Sequence, residues 1–224
     1  RLIKKYPFNM SHNYELPVTE FENIYNTIKK LDLNSTMKIK GLSSGRADIF
    51  PSALAVMKAV LSRFDFSKIT ISGCGLREGA MFRYAVPGVN ERPLSDVLGH
   101  SIYTQMKYHD LNIAHAEHVY NLSIQLFKQL KVLHKMPRVY VRVLKIAALL
   151  HDSGMRIKFY NHQLHSAYII LNSNLYGVPH KDIVVAAFVA AGHRKAENAR
   201  DEIIKYKDML TQEDVDAIRK LSVI

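Results

Sequence analysis

The chain of 224 residues has a single cysteine, Cys74, so an intrachain disulfide is excluded. It has no run of 18 or more apolar residues, which excludes a transmembrane helix. The opening residues, RLIKKYPFNMSHNYELPVTEF, carry lysines but no apolar core behind them, so they are not a secretory signal. Internal repeats and low-complexity tracts are also lacking. Together these absences predict a cytoplasmic protein. There is no initiator Met, and Leu221-Ser222-Val223-Ile224 stops inside a helical pattern. Both ends therefore predict a piece of a longer protein.

Hydrophobic residues make up 48% of the chain, enough for a substantial core, and charged residues 23%, as in ordinary globular proteins. Net charge is +11. Up to residue 95 there are 14 Lys+Arg against 8 Asp+Glu, and after it 17 against 12, so the halves carry +6 and +5. Neither half is a lone basic tail. A diffuse positive field favours a polyanionic partner such as nucleic acid, polyphosphate or an anionic nucleotide. Solvated lysines account for the charge equally well.

Histidine is almost missing from the first half: ten of the eleven lie after residue 95. Between the halves, Pro87-Gly88-Val89-Asn90-Glu91-Arg92-Pro93 reads as a linker. The first half reads as mixed α and β. Helices are expected over 18–31, with Thr19 as cap, and over 51–64, with Pro51 in the first turn. In the second of these, Leu54, Met57, Leu61 and Phe64 share a face. Residues 68–72 alternate as a strand, and LREGAMF starts another helix. The second half reads as all helix. Val119, Leu122, Leu126 and Leu130 form one stripe, and Val139, Val143, Ile146 and Leu150 another. Residues 180–193 are apolar nearly all round, as in a buried helix. Thr211 opens a helix with acidic residues in its first turn.

Two kinds of chemistry stand out. His115 edges one helix, His151-Asp152 ends a second, and His165 and His193 follow. Imidazoles and a carboxylate suit a transition metal, which can serve attack on phosphorus. Adjacent helical residues point about 100° apart, so His151 and Asp152 can divide the work between ligation and orientation. His118, His134, His162 and His180 read as structural or exposed. The other chemistry is two glycine turns, Gly41-Leu42-Ser43-Ser44-Gly45-Arg46 and Ser72-Gly73-Cys74-Gly75-Leu76-Arg77-Glu78-Gly79. Backbone amides at a helix start with a nearby arginine suit phosphate. Tight helix–strand packing explains such turns equally well.

The ordered series His115, His151-Asp152-x-Gly154, His165, His193 resembles the HD domain family of helical metal-dependent phosphohydrolases. In that resemblance His115 matches the first histidine, and His151 and Asp152 the namesake pair. His165 and His193 match later histidines, and a final Asp is expected on a later helix. After His193 the aspartates are Asp201, Asp208, Asp214 and Asp216.

The wider series R-A-D-I, helix, strand, S-G-C-G-L-R-E-G, then a His-rich helical part resembles the Ppx/GppA family. These are exopolyphosphatases and guanosine pentaphosphate phosphohydrolases. The resemblance runs from about Leu42 through Lys195. It implies an α+β portion of an actin-like (ASKHA, ribonuclease H-like) domain over 1–95. An all-α HD-like domain would follow over 96–224, truncated at its C-terminal end. It also implies that the catalytic glutamate and the first phosphate loop lie outside these residues, leaving no catalytic residue in this chain. Arg46, Gly73, Gly75, Arg194 and Lys195 would contact substrate. His115, His151 and Asp152, with His165 and His193, would hold metal. The implied cofactors are Mg²⁺ for the parent phosphatase and a divalent transition metal at the HD-like site. The implied partner is polyphosphate or another phosphate-rich anion, rather than nucleic acid or a membrane. Half an actin-like sheet left exposed would also allow homodimer pairing.

Three readings follow. One is a fragment, inactive alone, of an enzyme releasing terminal phosphate from polyphosphate or guanosine pentaphosphate. The second is an autonomous HD phosphohydrolase of nucleotides such as (p)ppGpp. The third is a non-enzymatic polyanion-binding module.

Overall fold

The computed structural model describes residues 11–85, 95–194 and 200–224. The linker read at Pro87–Pro93 lies outside the described residues, as does Lys195. Two compact units emerge: Tyr14–Gly73, and Cys74–Ile224 with the described part of Tyr6–Asn13.

The first unit pairs β1 (Tyr14–Pro17) with β2 (Lys68–Ile71) antiparallel, Tyr14 opposite Ile71 and Pro17 opposite Lys68. Lys68 Nζ meets Glu15 Oε1 across the pair at 2.7 Å. Helices α1 (Val18–Ile28), α2 (Leu33–Met37) and α3 (Phe50–Phe64) complete it. Helix α1 starts directly after Pro17, without a side-chain cap, so the cap expected at Thr19 is not used. Proline's fixed φ and missing N–H make it a natural helix boundary. Leu16, Phe21, Ile28, Leu54 and Leu61 form a small core. Only half of the face expected on α3 is buried: Met57 and Phe64 are exposed. Helix α1, which packs against α3, covers only part of the stripe. Asp65, at φ +52°, ends α3 in the left-handed region.

The second unit is helical throughout its described residues. It begins with α4 (Leu76–Ala85), which buries no residue. Then come α5 (Val97–Tyr108), α6 (Ile113–Gln129), α7 (Lys131–His134), α8 (Tyr140–Leu150), α9 (His162–Asn172), α10 (His180–Gly192), α11 (Arg200–Ile203) and α12 (Gln212–Leu221). Helix α10 is the hub. It packs against α8, α9 and α12, and every residue from Asp182 to Gly192 is buried. That is why its sequence is apolar on all sides. The stripe on α8 is buried at Val143, Ile146 and Leu150, while Val139 is exposed. On α6 the expected stripe is offset. Leu122 and Leu126 are exposed, and Ala116, Ser123 and Phe127 face inward. Both sets satisfy helical spacing, and packing against α8 selects the face that carries Ala116, Ser123 and Phe127. Thr211 caps α12 in a reciprocal capping box with Asp214, as its sequence implies. No helix among the described residues is long and apolar enough to cross a membrane.

Candidate metal centre

Helix α8 ends at Leu150, and His151 and Asp152 follow at once. The chain then tightens into a 3₁₀ turn, Ser153–Arg156. Gly154 is required there. A Cβ on it would collide with the His162 carbonyl and the Ser166 amide of α9. The Gly154 N–H donates to Ser166 Oγ at 2.8 Å. This close approach carries α9 against the end of α8 and sets His162 beside Asp152. Helix α10 brings His193 from its own carboxyl end, and α6 brings His115 from its first turn.

Five side chains therefore meet. His151 Nε2 lies 3.2 Å from Asp152 Oδ2, and His115 Nε2 lies 3.6 Å from the same oxygen. His162 Nε2 stands 3.2 Å from Asp152 Oδ1 and 3.2 Å from His193 Nε2. These atoms form two overlapping groups, His115/His151/Asp152 and Asp152/His162/His193, each with ligand atoms within 4.8 Å of one another. Asp152 belongs to both. Side-chain exposure grades from 3% at His162, through 13% at His151 and 26% at Asp152, to 49% at His115. The centre has a buried floor and an open mouth.

The far ring nitrogens decide what the near ones can do. His151 Nδ1 bonds the Ala148 carbonyl at 2.8 Å, His162 Nδ1 that of Phe159 at 2.9 Å, and His193 Nδ1 that of Ala190 at 2.7 Å. A carbonyl only accepts, so each Nδ1 carries the proton. In the neutral ring each Nε2 is then a bare lone pair. Three such lone pairs and a carboxylate face one another. They repel unless a cation, proton or metal, sits among them. Backbone-anchored imidazoles are the usual second shell of a metal site, and nitrogen with carboxylate oxygen suits Zn, Fe, Mn or Ni. The donor set fits a divalent transition metal.

The charges of these groups shift one another in different directions. Burial pushes the Asp152 carboxyl up, but the hydrogen bond and charge of His151, with His162 and His193, outweigh it and hold it low. Burial pulls His151 down, yet Asp152 wins and raises it. For His193 burial dominates and lowers it, which favours the neutral, ligating ring.

Of the histidines expected to ligate, His115, His151 and His193 are brought together. His165 is in neither group and instead packs its Cβ toward Gly154. His162, read as structural, is the most buried member. His134 is a true structural histidine. Its Nε2 donates to the Phe127 carbonyl at 2.7 Å, and its Nδ1 accepts from Met136 N–H at 2.9 Å. Asp214 is engaged elsewhere, with Tyr140, Lys181 and Thr211. Asp208 and Asp216 belong to neither group.

Among the expected phosphate contacts, Arg46 is exposed on a 3₁₀ turn of the first unit, and Gly73 ends that unit. The Gly75 amide already donates to Glu78 Oε2 at 2.8 Å, so this turn is closed by its own carboxylate. Arg194 sits 5.7 Å from the centroid of Phe159, whose carbonyl orients His162. Beside the open mouth is a cleft of about 420 Å³ that reaches His109 and Arg156.

Residues 99–224 match the family model described as Ppx/GppA phosphatase, domain III, and residues 3–86 that of the Ppx/GppA phosphatase family. The chain is similar to proteins named guanosine-5'-triphosphate,3'-diphosphate pyrophosphatase. That of Aeromonas salmonicida (strain A449) is 32% identical over 142 residues, covering 63% of this chain and 28% of the relative. That of Pseudoalteromonas translucida (strain TAC 125) is 29% identical over 176 residues, covering 76% and 32%. That of Vibrio vulnificus (strain YJ016) is 26% identical over 160 residues, covering 71% and 31%. The chain thus spans under a third of the length of these relatives.

Proposed function

Because the chain belongs to the Ppx/GppA phosphatase family, we propose that it serves hydrolysis of a phosphate chain, with guanosine 5'-triphosphate 3'-diphosphate the first substrate. The relatives' names support that choice. The observation that carries the reading is the convergence of His115, His151, Asp152, His162 and His193, with the Nε2 lone pairs of His151, His162 and His193 turned inward. The second unit then acts as an HD-like metal-holding domain, and the first as part of an actin-like domain whose Mg²⁺-dependent chemistry it accompanies.

The residues divide the work by burial. His162 holds the floor, His115 stands at the mouth, and His151, Asp152 and His193 lie half-buried between them, with Asp152 spanning the two groups. When bound, a divalent transition metal supplies Lewis acidity toward phosphoryl oxygens. The protein's part is to keep three imidazoles in one tautomer and to exclude water from the floor.

Protein purified without chelator is expected to carry Mn, Fe, Ni or Zn, and to lose it on Asp152→Ala. Phosphate release from guanosine 5'-triphosphate 3'-diphosphate and from polyphosphate is then compared for both forms. No metal in the wild type, with identical behaviour in the variant, would remove the metal centre. Release confined to polyphosphate would favour an exopolyphosphatase, the reading to which the net charge of +11 lends weight.

A further inference from the structure

The centre opens on one side into the cleft of about 420 Å³. That volume lies within the range of small-ligand sites. His115, His151 and Asp152 belong to its lining. So do Arg156 and His109, close enough that the Arg156 charge, after burial, helps lower His109. Leu111, Leu149 and Met155 supply apolar wall. None of the three polar groups His109, Asp110 and Arg156 belongs to the metal groups.

We propose that this cleft is a phosphoryl-binding subsite, with Arg156 as its anchor, His109 as a second donor, and Asp110 as a built-in competitor. It rests on the reading of the neighbouring centre as a metal site for phosphate chemistry. Arg156 Nη1 is held 3.5 Å from Asp110 Oδ2, and the two side chains are 65% and 80% exposed. An ion pair that exposed contributes little. A phosphoryl dianion offers the guanidinium more charge and a fork of acceptors, so it displaces Asp110. The ligand's phosphate then lies between the Arg156 guanidinium and the rings of His115 and His151. Asp110 keeps the guanidinium positioned until that exchange.

The test titrates inorganic phosphate and, separately, GMP into the metal-loaded protein, followed by ³¹P NMR. The proteins are wild type, Arg156→Gln and Asp110→Asn, with metal content measured in each. Arg156→Gln should weaken both probes about tenfold, the loss for one charge-assisted contact. Asp110→Asn should tighten both about two- to threefold by freeing the arginine. Metal content should not change in either. Both side chains are largely exposed, so folding is not at stake, and the opposite signs separate this role from a general loss. Unchanged affinity in both variants overturns the proposal, as does GMP binding without phosphate binding. Metal loss in Arg156→Gln overturns it as well, since the arginine would then support the centre itself. Metal-free wild type that still loses phosphate with Arg156→Gln sinks the metal centre and supports the cleft. Metal-loaded wild type with no effect of Arg156→Gln does the reverse.

Discussion

The two units use their apolar residues in opposite ways. In the second, α10 hides every side chain from Asp182 to Gly192, and the core around it holds five polar ligands in a fixed cluster. In the first, a two-stranded sheet and α3 bury Leu54 and Leu61 but leave Val56, Val60 and Phe64 at 65%, 47% and 64% exposure. The site follows the packing. Where the core is closed, histidines from four chain segments meet around Asp152. Where it is thin, Arg46 stands on a turn in solvent. A chemical constellation needs a rigid surround to hold its geometry, and only the second unit supplies one.

The sharpest way to break this contrast is Asp152→Ala. It removes the one residue shared by both ligand groups, and metal should fall to background by elemental analysis. His162→Ala should come close to the same loss, while His165→Ala should leave metal content as it is. Equal losses in both would return the site to a generic histidine cluster. Next in size is Gly154→Ala. Its Cβ meets backbone of α9 rather than a movable side chain, so a stability loss of about 2–4 kcal/mol is expected in urea unfolding.

Asp214 sharpens the comparison through pH. Burial pushes its carboxyl up, but hydrogen bonds from Thr211 and Lys181 outweigh that and hold it low. A lowered folded value means its contribution is complete above the ordinary carboxylate range and fades as pH falls through the lowered value. Asp214→Asn should cost about 1–3 kcal/mol at neutral pH, and its stability should then decline less than the wild type's on acidification. A parallel decline would remove Asp214 from the network. The smallest effect belongs to the first unit. Val60→Ser on the exposed face of α3 should change unfolding free energy by no more than about 0.5 kcal/mol. A large loss would show that this face is covered.

Much of the second unit was legible in the sequence. The all-round apolar run at 180–193, the Thr211 cap and the buried stripe of α8 follow from periodicity and capping rules. The order His115, His151-Asp152, His165, His193 rested instead on the resemblance to the HD domain family, and all of these but His165 meet in the two ligand groups. His162 was not legible, for a local reason. It and His165 lie about 60° apart around a helix, so either could face inward. The choice was made by Asn161, which sits at φ +58° and sets where α9 begins. Asparagine tolerates that region, and the pair Asn161-His162 was the only available hint. The α6 stripe was missed because two apolar faces fit one period, and the neighbour across the interface decides between them. On Gly75 the sequence offered a phosphate amide, and Glu78 three residues later had already taken it.

The bonds from His151 to Ala148 and from His193 to Ala190 fasten each ring to the last turn of its own helix. His162 is fastened to the turn that precedes α9. An ion held by these rings therefore clasps two helix exits and one helix entry at a single point. Its binding energy becomes resistance to fraying at all three, so occupancy of the centre and order of these chain ends form one equilibrium.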